Sequence, residues 1–166
     1  MDSTTLALAI QPPVRARPGV ALYPPVAARL SSQADIIGQL SQIWAVATLV
    51  DRQSGEIDDD KLDGRVSDSA HPLAQDTQRS SVAVEDRAYF CFPDLIIHKP
   101  GRYRIRVNLM QMDYSSNSFP DGIARVIEYV DSHSISVEHG ATDCSKPNAQ
   151  ERAFLRLLKH DGQRIS

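Results

Sequence analysis

Between Gly101 and Leu109 polar and apolar residues alternate without a break. Tyr103, Ile105, Val107 and Leu109 take one face; Arg102, Arg104, Arg106 and Asn108 take the other. A period of two marks a strand with one buried and one wet face. Pro100-Gly101 just before it reads as a turn. Phe90-Cys91-Phe92 reads as an aromatic strand, closed by Pro93-Asp94 because proline cannot donate to a sheet ladder. Residues 87–92 and 101–109 are therefore expected to pair at the centre of an antiparallel β domain.

The same reading extends along the chain. Leu6, Leu8 and Ile10 alternate with smaller residues and predict a first strand, ended by Gln11-Pro12-Pro13. Residues 26–30 predict a short second strand after the extended Tyr23-Pro24-Pro25. Residues 31–42 are ambiguous: Ile36, Ile37, Leu40 and Ile43 fit a helical stripe, and Gly38 weakens it. The almost wholly apolar run 43–50 predicts a strand buried on both faces, with Trp44 as a core anchor. Residues 123–130 and 134–137 supply two more strands. Asn148 with Glu151 three residues on resembles a capping box, and Gly162 is a stop. Ala153, Phe154, Leu157 and Leu158 form the apolar stripe of that helix, opposite Arg152, Arg156 and Lys159. About seven short strands and a terminal helix predict an all-β chain, a β-sandwich with a C-terminal helix.

Charge changes this picture in one place. The chain holds 18 Lys and Arg against 21 Asp and Glu, a net charge of −3, but residues 51–86 carry ten of the acidic residues and four of the basic ones. The rest is therefore net +3, a mildly basic body with an acidic polar loop insertion at 51–86. That insertion is either a solvated loop or an acidic arm that competes with nucleic acid for the basic body. Leu62 and Val66 are placed to pin it to the core. Asp58-Asp59-Asp60 lacks the glycine and distal glutamate of a calcium loop. Residues 113–122 form a second polar loop.

Little in the sequence points to catalysis or to a cofactor. His71, His98, His133, His139 and His160 do not fall at metal-ligand spacings, and no nucleophile elbow or phosphate-binding glycine loop is present. Cys91 and Cys144 do not make a disulfide framework, and Cys91 reads as a reduced core residue. No run of 18 apolar residues is present, so no transmembrane helix is expected, and the first residues lack a signal-peptide pattern. A cytosolic or nuclear place is the expectation. The remaining candidate chemistry is cationic. Arg15 and Arg17, two residues apart in an extended loop, point the same way. Such a pair is either solvated or able to grip adjacent phosphates, or a phosphate and a guanine edge.

Several blocks, in order, resemble the velvet domain of fungal regulators of development, sporulation and secondary metabolism. Gln11-Pro12 with Arg15-Ala16-Arg17 and Gly19 resembles the family's N-terminal Gln-Pro-x-x-Ala-Arg-x-x-Gly block, shifted by one at the arginine. Pro24-Pro25-Val26 with Leu30 resembles its Pro-Pro-Ile-Val-Gln-Leu block. Residues 90–95 match Phe-x-Phe-Pro-Asp-Leu, and residues 101–107 match Gly-Arg-Tyr-Arg-Leu-Arg-Phe. Ala153-Phe154 through Gly162 and Ile165 resembles the closing segment. Ile10 stands where the family has the first glutamine of Gln-Gln-Pro, and Asp131-Ser132-His133 lacks the usual proline.

The resemblance spans nearly the whole chain and implies a single velvet-like domain over residues 1–166, with the immunoglobulin-like sandwich of Rel-homology domains. It also implies a nuclear transcription regulator that binds double-stranded DNA as a homo- or heterodimer with another velvet protein. Arg15 and Arg17 would contact DNA, with Lys99, Arg152, Arg156 and Lys159 as weaker candidates. Arg102, Arg104 and Arg106 would serve structure or the interface with a partner. The alternative is an interaction module that dimerises with a velvet protein which itself reads the DNA.

Overall fold

The computed structural model describes residues 4–32, 37–73, 85–113, 123–141 and 146–163. They form β1 (Thr4–Ile10), β2 (Arg15–Ala16), β3 (Val26–Ser32), β4 (Ile43–Asp51), β5 (Leu62–Asp63) and β6 (Ser67–Ser69). These are followed by β7 (His71–Pro72), β8 (Glu85–Phe92), β9 (Ile96–Ile97), β10 (Gly101–Asp113), β11 (Ile123–Asp131), β12 (Ile135–Val137) and α1 (Ala149–His160). One sheet runs in the order β1-β3-β8-β7. A second runs β2-β12-β10-β4-β6, with β11 also paired to β10, and β5 pairs with β9. The chain is thus mostly β with one C-terminal helix.

The alternation in β10 does what its period predicts. Tyr103, Ile105, Val107 and Leu109 are buried, and they meet Leu49, Ala47 and Ala45 of β4 with Phe90, Phe92, Leu30 and Val26 of the other sheet in one core. The expected pairing of 87–92 with 101–109 is corrected: β8 and β10 lie in different sheets. β8 pairs β3 and β7, whereas β10 pairs β4 from Tyr103↔Asp51 to Gln111↔Ile43. Their aromatic and aliphatic faces meet across the core instead of side by side.

The strand buried on both faces is also a different one. In β4 burial alternates, and Trp44, Val46 and Thr48 are half-exposed on the outer face. Trp44 is no core anchor; it lines a surface cleft with Arg65, Ser67 and Asp68. β8 instead sends Phe90 and Phe92 into the core and Tyr89 and Cys91 to the far side, where α1 covers them. The helix buries Leu155 and Leu158, with Phe154 and Leu157 partly covered, while Ala153 is exposed; the stripe is centred one residue from where the sequence placed it.

The Asn148 side chain accepts from the Glu151 amide at 2.8 Å, and the Glu151 carboxylate accepts from the Asn148 amide at 3.0 Å. The capping box is therefore formed as expected, and Gly162 at φ 87° ends the helix. Asn148→Ala removes one of these bonds and is expected to lower stability by about 1 kcal/mol, read as a lower melting temperature with an unchanged β signal.

Much of the acidic stretch is not a loop. Asp59–Lys61 is a 3-10 turn, and β5, β6 and β7 follow within it. Leu62 and Val66 do pack against the core. Asp68 on β6 is 4% exposed, so this charge faces the interior and not water. Residues 74–84, and the expected loop at 114–122, lie outside the described residues.

Candidate nucleic-acid interface

Where β10 begins, four neighbouring backbone segments bring a row of side chains onto the outer face of the second sheet. Arg102 of β10 pairs with Ser136 of β12, and Ser136 pairs with Arg15 of β2. On the other side the Arg52 amide, one residue past β4, donates to the Arg102 carbonyl at 3.0 Å. The row Arg15, Ser136, Arg102, Arg52 therefore crosses the sheet at strand spacing, about 4.8 Å per step. All face away from the core, because Ile135, Val137 and Tyr103 on either side of them point inward.

The local sequence explains why the row forms here. Ser132 is buried, accepts from the Ile105 amide at 3.0 Å and donates its own amide to the Ile105 carbonyl at 2.8 Å. It sits where β10 exchanges β11 for β12 as neighbour, which fixes the register that sets Ser136 beside Arg102. The Ser136 and Glu138 amides then donate to Val14 and Ala16, at 2.9 Å each, and so hold β2 parallel to β12.

These side chains line a cleft of about 280 Å³ together with Ser134 and Glu138. Arg52 Nη1 donates to Ser134 Oγ at 3.1 Å, and Ser136 Oγ donates to Glu138 at 2.8 Å. Among the described residues none of Arg15, Arg52 and Arg102 has a carboxylate partner. Like charges set directly across a ladder repel, so Arg52 beside Arg102 is a small cost to the fold that an anion in the cleft would relieve. Guanidinium groups in such a cluster suit phosphate, which they bind through paired, charge-assisted hydrogen bonds.

The structure gathers some candidate residues and separates others. Arg15 and Arg102 share the cleft. Arg17 does not enter it: its Nε donates to the Ala141 carbonyl at 2.8 Å, and the side chain lines a neighbouring cleft that Arg15 also borders. Arg104 is half-exposed. Arg106 is a structural residue, with Nε and Nη2 on the two Asp131 oxygens at 2.7 and 3.1 Å and its guanidinium 4.1 Å from the Tyr129 ring centre. Lys99 lies beside acidic groups instead. The bond from Lys61 chiefly, and the field of Lys99 to a lesser degree, hold the Asp58 carboxyl below its usual range.

Arg152, Arg156 and Lys159 are exposed on α1, which covers the outer face of the first sheet. They point away from the arginine row through the thickness of the molecule. Arg52 is the residue the sequence did not single out. It sits among ten acidic residues in the chain, and only the β4–β10 register could have placed it next to Arg102.

The other titratable groups are in structural places. His71 Nε2 donates to Asp68 at 3.0 Å, His98 Nε2 lies 3.3 Å from Asp63, and His133 Nε2 lies 2.7 Å from the Pro12 carbonyl. Burial, and secondarily the charge of Asp68, pushes the Cys91 thiol up to about 12, so it carries almost no thiolate at neutral pH. Among the described residues no helix is long and apolar enough to cross a membrane, and no three His, Cys, Asp or Glu side chains are grouped so as to hold a metal ion.

In comparison with known proteins, no protein-family model and no curated protein sequence matches the chain.

Proposed function

We propose that this chain is a velvet-like transcription regulator that binds double-stranded DNA in the nucleus, as a homo- or heterodimer, through the outer face of its second sheet. The fold of the reading is an immunoglobulin-like sandwich of the Rel-homology kind, with the two sheets sharing one core. The observation that carries the function is the row Arg15, Arg102 and Arg52, without carboxylate partners among the described residues. Arg15 and Arg52 stand about 14 Å apart across three strand spacings, a span that takes in several phosphates of one DNA strand. Backbone phosphates would position the domain, and the β2 loop would approach the base edges.

The test is retention of a random duplex pool on the purified chain at stepped salt, followed by sequencing. Enrichment of one short motif is the expected result. Retention without a motif, lost at the same salt for every sequence, would count against specific reading.

A second reading, an interaction module whose partner reads the DNA, has one observation in its favour. Among the described residues β11 pairs β10 alone and presents Val126 and Tyr129, 49% and 54% exposed, to solvent. A β-branched and aromatic outer strand of this kind suits burial against a partner. Native mass measurement separates the two readings. A chain that is monomeric alone and retains no duplex, but dimerises and retains duplex when mixed with a related chain, would favour the second.

A further inference from the structure

Beside the arginine row lies a second cleft of a different character. It encloses about 340 Å³, within the range of small-molecule sites. Ala16, Val20, Leu22 and Tyr23 make its apolar walls, and Arg15 and Arg17 are its charged residues; among the described residues no acidic one lines it. Val20 and Tyr23 are 54% and 38% exposed, so apolar surface is open to water here.

The walls are held by the backbone. The Gly19 amide donates to the Ile97 carbonyl at 2.9 Å, the Leu22 amide to Leu95 at 2.8 Å, and the Glu138 amide to Ala16 at 2.9 Å. Segments from three parts of the chain are thereby fixed around one space, so an occupant meets a formed site and orders little. Arg17 is fixed too. Its Nε is used on the Ala141 carbonyl, which leaves its terminal nitrogens to meet a ligand.

We infer that this cleft binds a small organic acid, an apolar body of about two fused rings bearing one carboxylate, with the carboxylate on Arg17. The apolar walls favour the body by removing it from water. The Arg17 guanidinium favours the carboxylate by charge-assisted hydrogen bonds, which a neutral analogue cannot make. Arg15 borders both clefts, so the acid would sit beside a residue that the phosphate row also uses. This site goes beyond the DNA reading and stands or falls without it.

The test uses the whole purified chain, without DNA, and calorimetric titration with naphthoate and with naphthylmethanol, its neutral counterpart. Naphthoate is expected to bind one-to-one and about tenfold more tightly than the alcohol, the value of one charge-assisted bond. Arg17→Gln should erase that preference while leaving the alcohol's affinity unchanged. Ala21→Phe, which adds a ring to the lining of the cleft, should abolish binding of both. Arg152→Gln, on the far face, should change nothing. No heat from either compound at millimolar concentration, equal affinity for acid and alcohol, or a preference that survives Arg17→Gln would each overturn the inference.

Discussion

The double variant Arg52→Gln/Arg102→Gln is expected to lose DNA affinity on the order of a hundredfold at low salt, from about 1.5 kcal/mol per charged hydrogen-bonded contact. Its plot of log affinity against log salt should also flatten by about 1.8, because each phosphate contact contributes roughly 0.9 to the slope. The two side chains are on the outer face and touch no carboxylate among the described residues, so the fold should be unharmed. Separating two like charges from a direct cross-strand position should even raise stability by a few tenths of a kcal/mol. Binding curves at stepped salt, with a thermal melt beside them, check both halves. Arg152→Gln/Arg156→Gln, on the opposite side of the molecule, should change neither slope nor affinity. An unchanged slope in the first variant would remove the arginine row from the DNA surface.

Asp68→Ala is expected to destabilise the fold by about 1–3 kcal/mol, chiefly by orphaning the buried Cys91 amide. The Asp68 side chain is 1% exposed, and four hydrogen-bonding distances converge on it. Arg65 Nη2 and His71 Nε2 donate to it at 3.0 Å each, and the buried Cys91 amide donates at 2.8 Å. Asp68 belongs to β6 in the second sheet, whereas Cys91 belongs to β8 in the first, so the carboxylate fastens one sheet to the other. Truncation leaves the buried Cys91 N–H without an acceptor and takes away the hydrogen-bond partner of Arg65 and His71. Asp68→Asn keeps an acceptor for the Cys91 amide and should cost roughly half as much. Urea titration gives both values, and a loss below about 1 kcal/mol for Asp68→Ala would show that the site relaxes or fills with water.

Asp68 also shows what could and could not be read along the chain. In sequence it was one of ten acids in a polar stretch, and nothing local distinguishes it from Asp58 or Asp63, which face solvent more. Its burial follows from β6 joining the edge of β4 at Ala45↔Asp68, a contact between residues far apart in the chain. Local rules did locate the elements whose signals are local. The alternation from Tyr103 to Leu109 fixed which face of β10 is buried, and Asn148 with Glu151 fixed the start of α1.

Period tells a strand's faces but not its neighbours. That is why β8 and β10 could be recognised as strands while their separation into two sheets could not. The apolar run of β4 misled for a related reason. Trp44, Val46 and Thr48 keep company with Met110, Asn108 and Arg106 on an outer face that is only half-exposed, so large residues are tolerated there without being core.

The candidate site was legible to the same degree. Arg15 and Arg102 stood out because they sit in an extended loop and on the wet face of a strand. Their meeting depends on Ser136, a residue of no evident chemistry, lying between them in the sheet. Arg17, which in the sequence looked equivalent to Arg15, is committed to Ala141 and to the apolar cleft. Arg106 was drawn into the outer-face row by its period, yet it is matched by Asp131, so its loss is expected to weaken the β10–β11 ladder more than any anion site.

The role of the arginine row is tested most directly by recording the guanidinium Nε–H resonances of the purified chain while duplex DNA is added. Shifts of Arg15, Arg52 and Arg102 that reverse at high salt, with Arg152 and Arg156 unmoved, are the expected result. Shifts of the helix arginines with the row silent would place the DNA on the other face of the molecule and contradict the assignment.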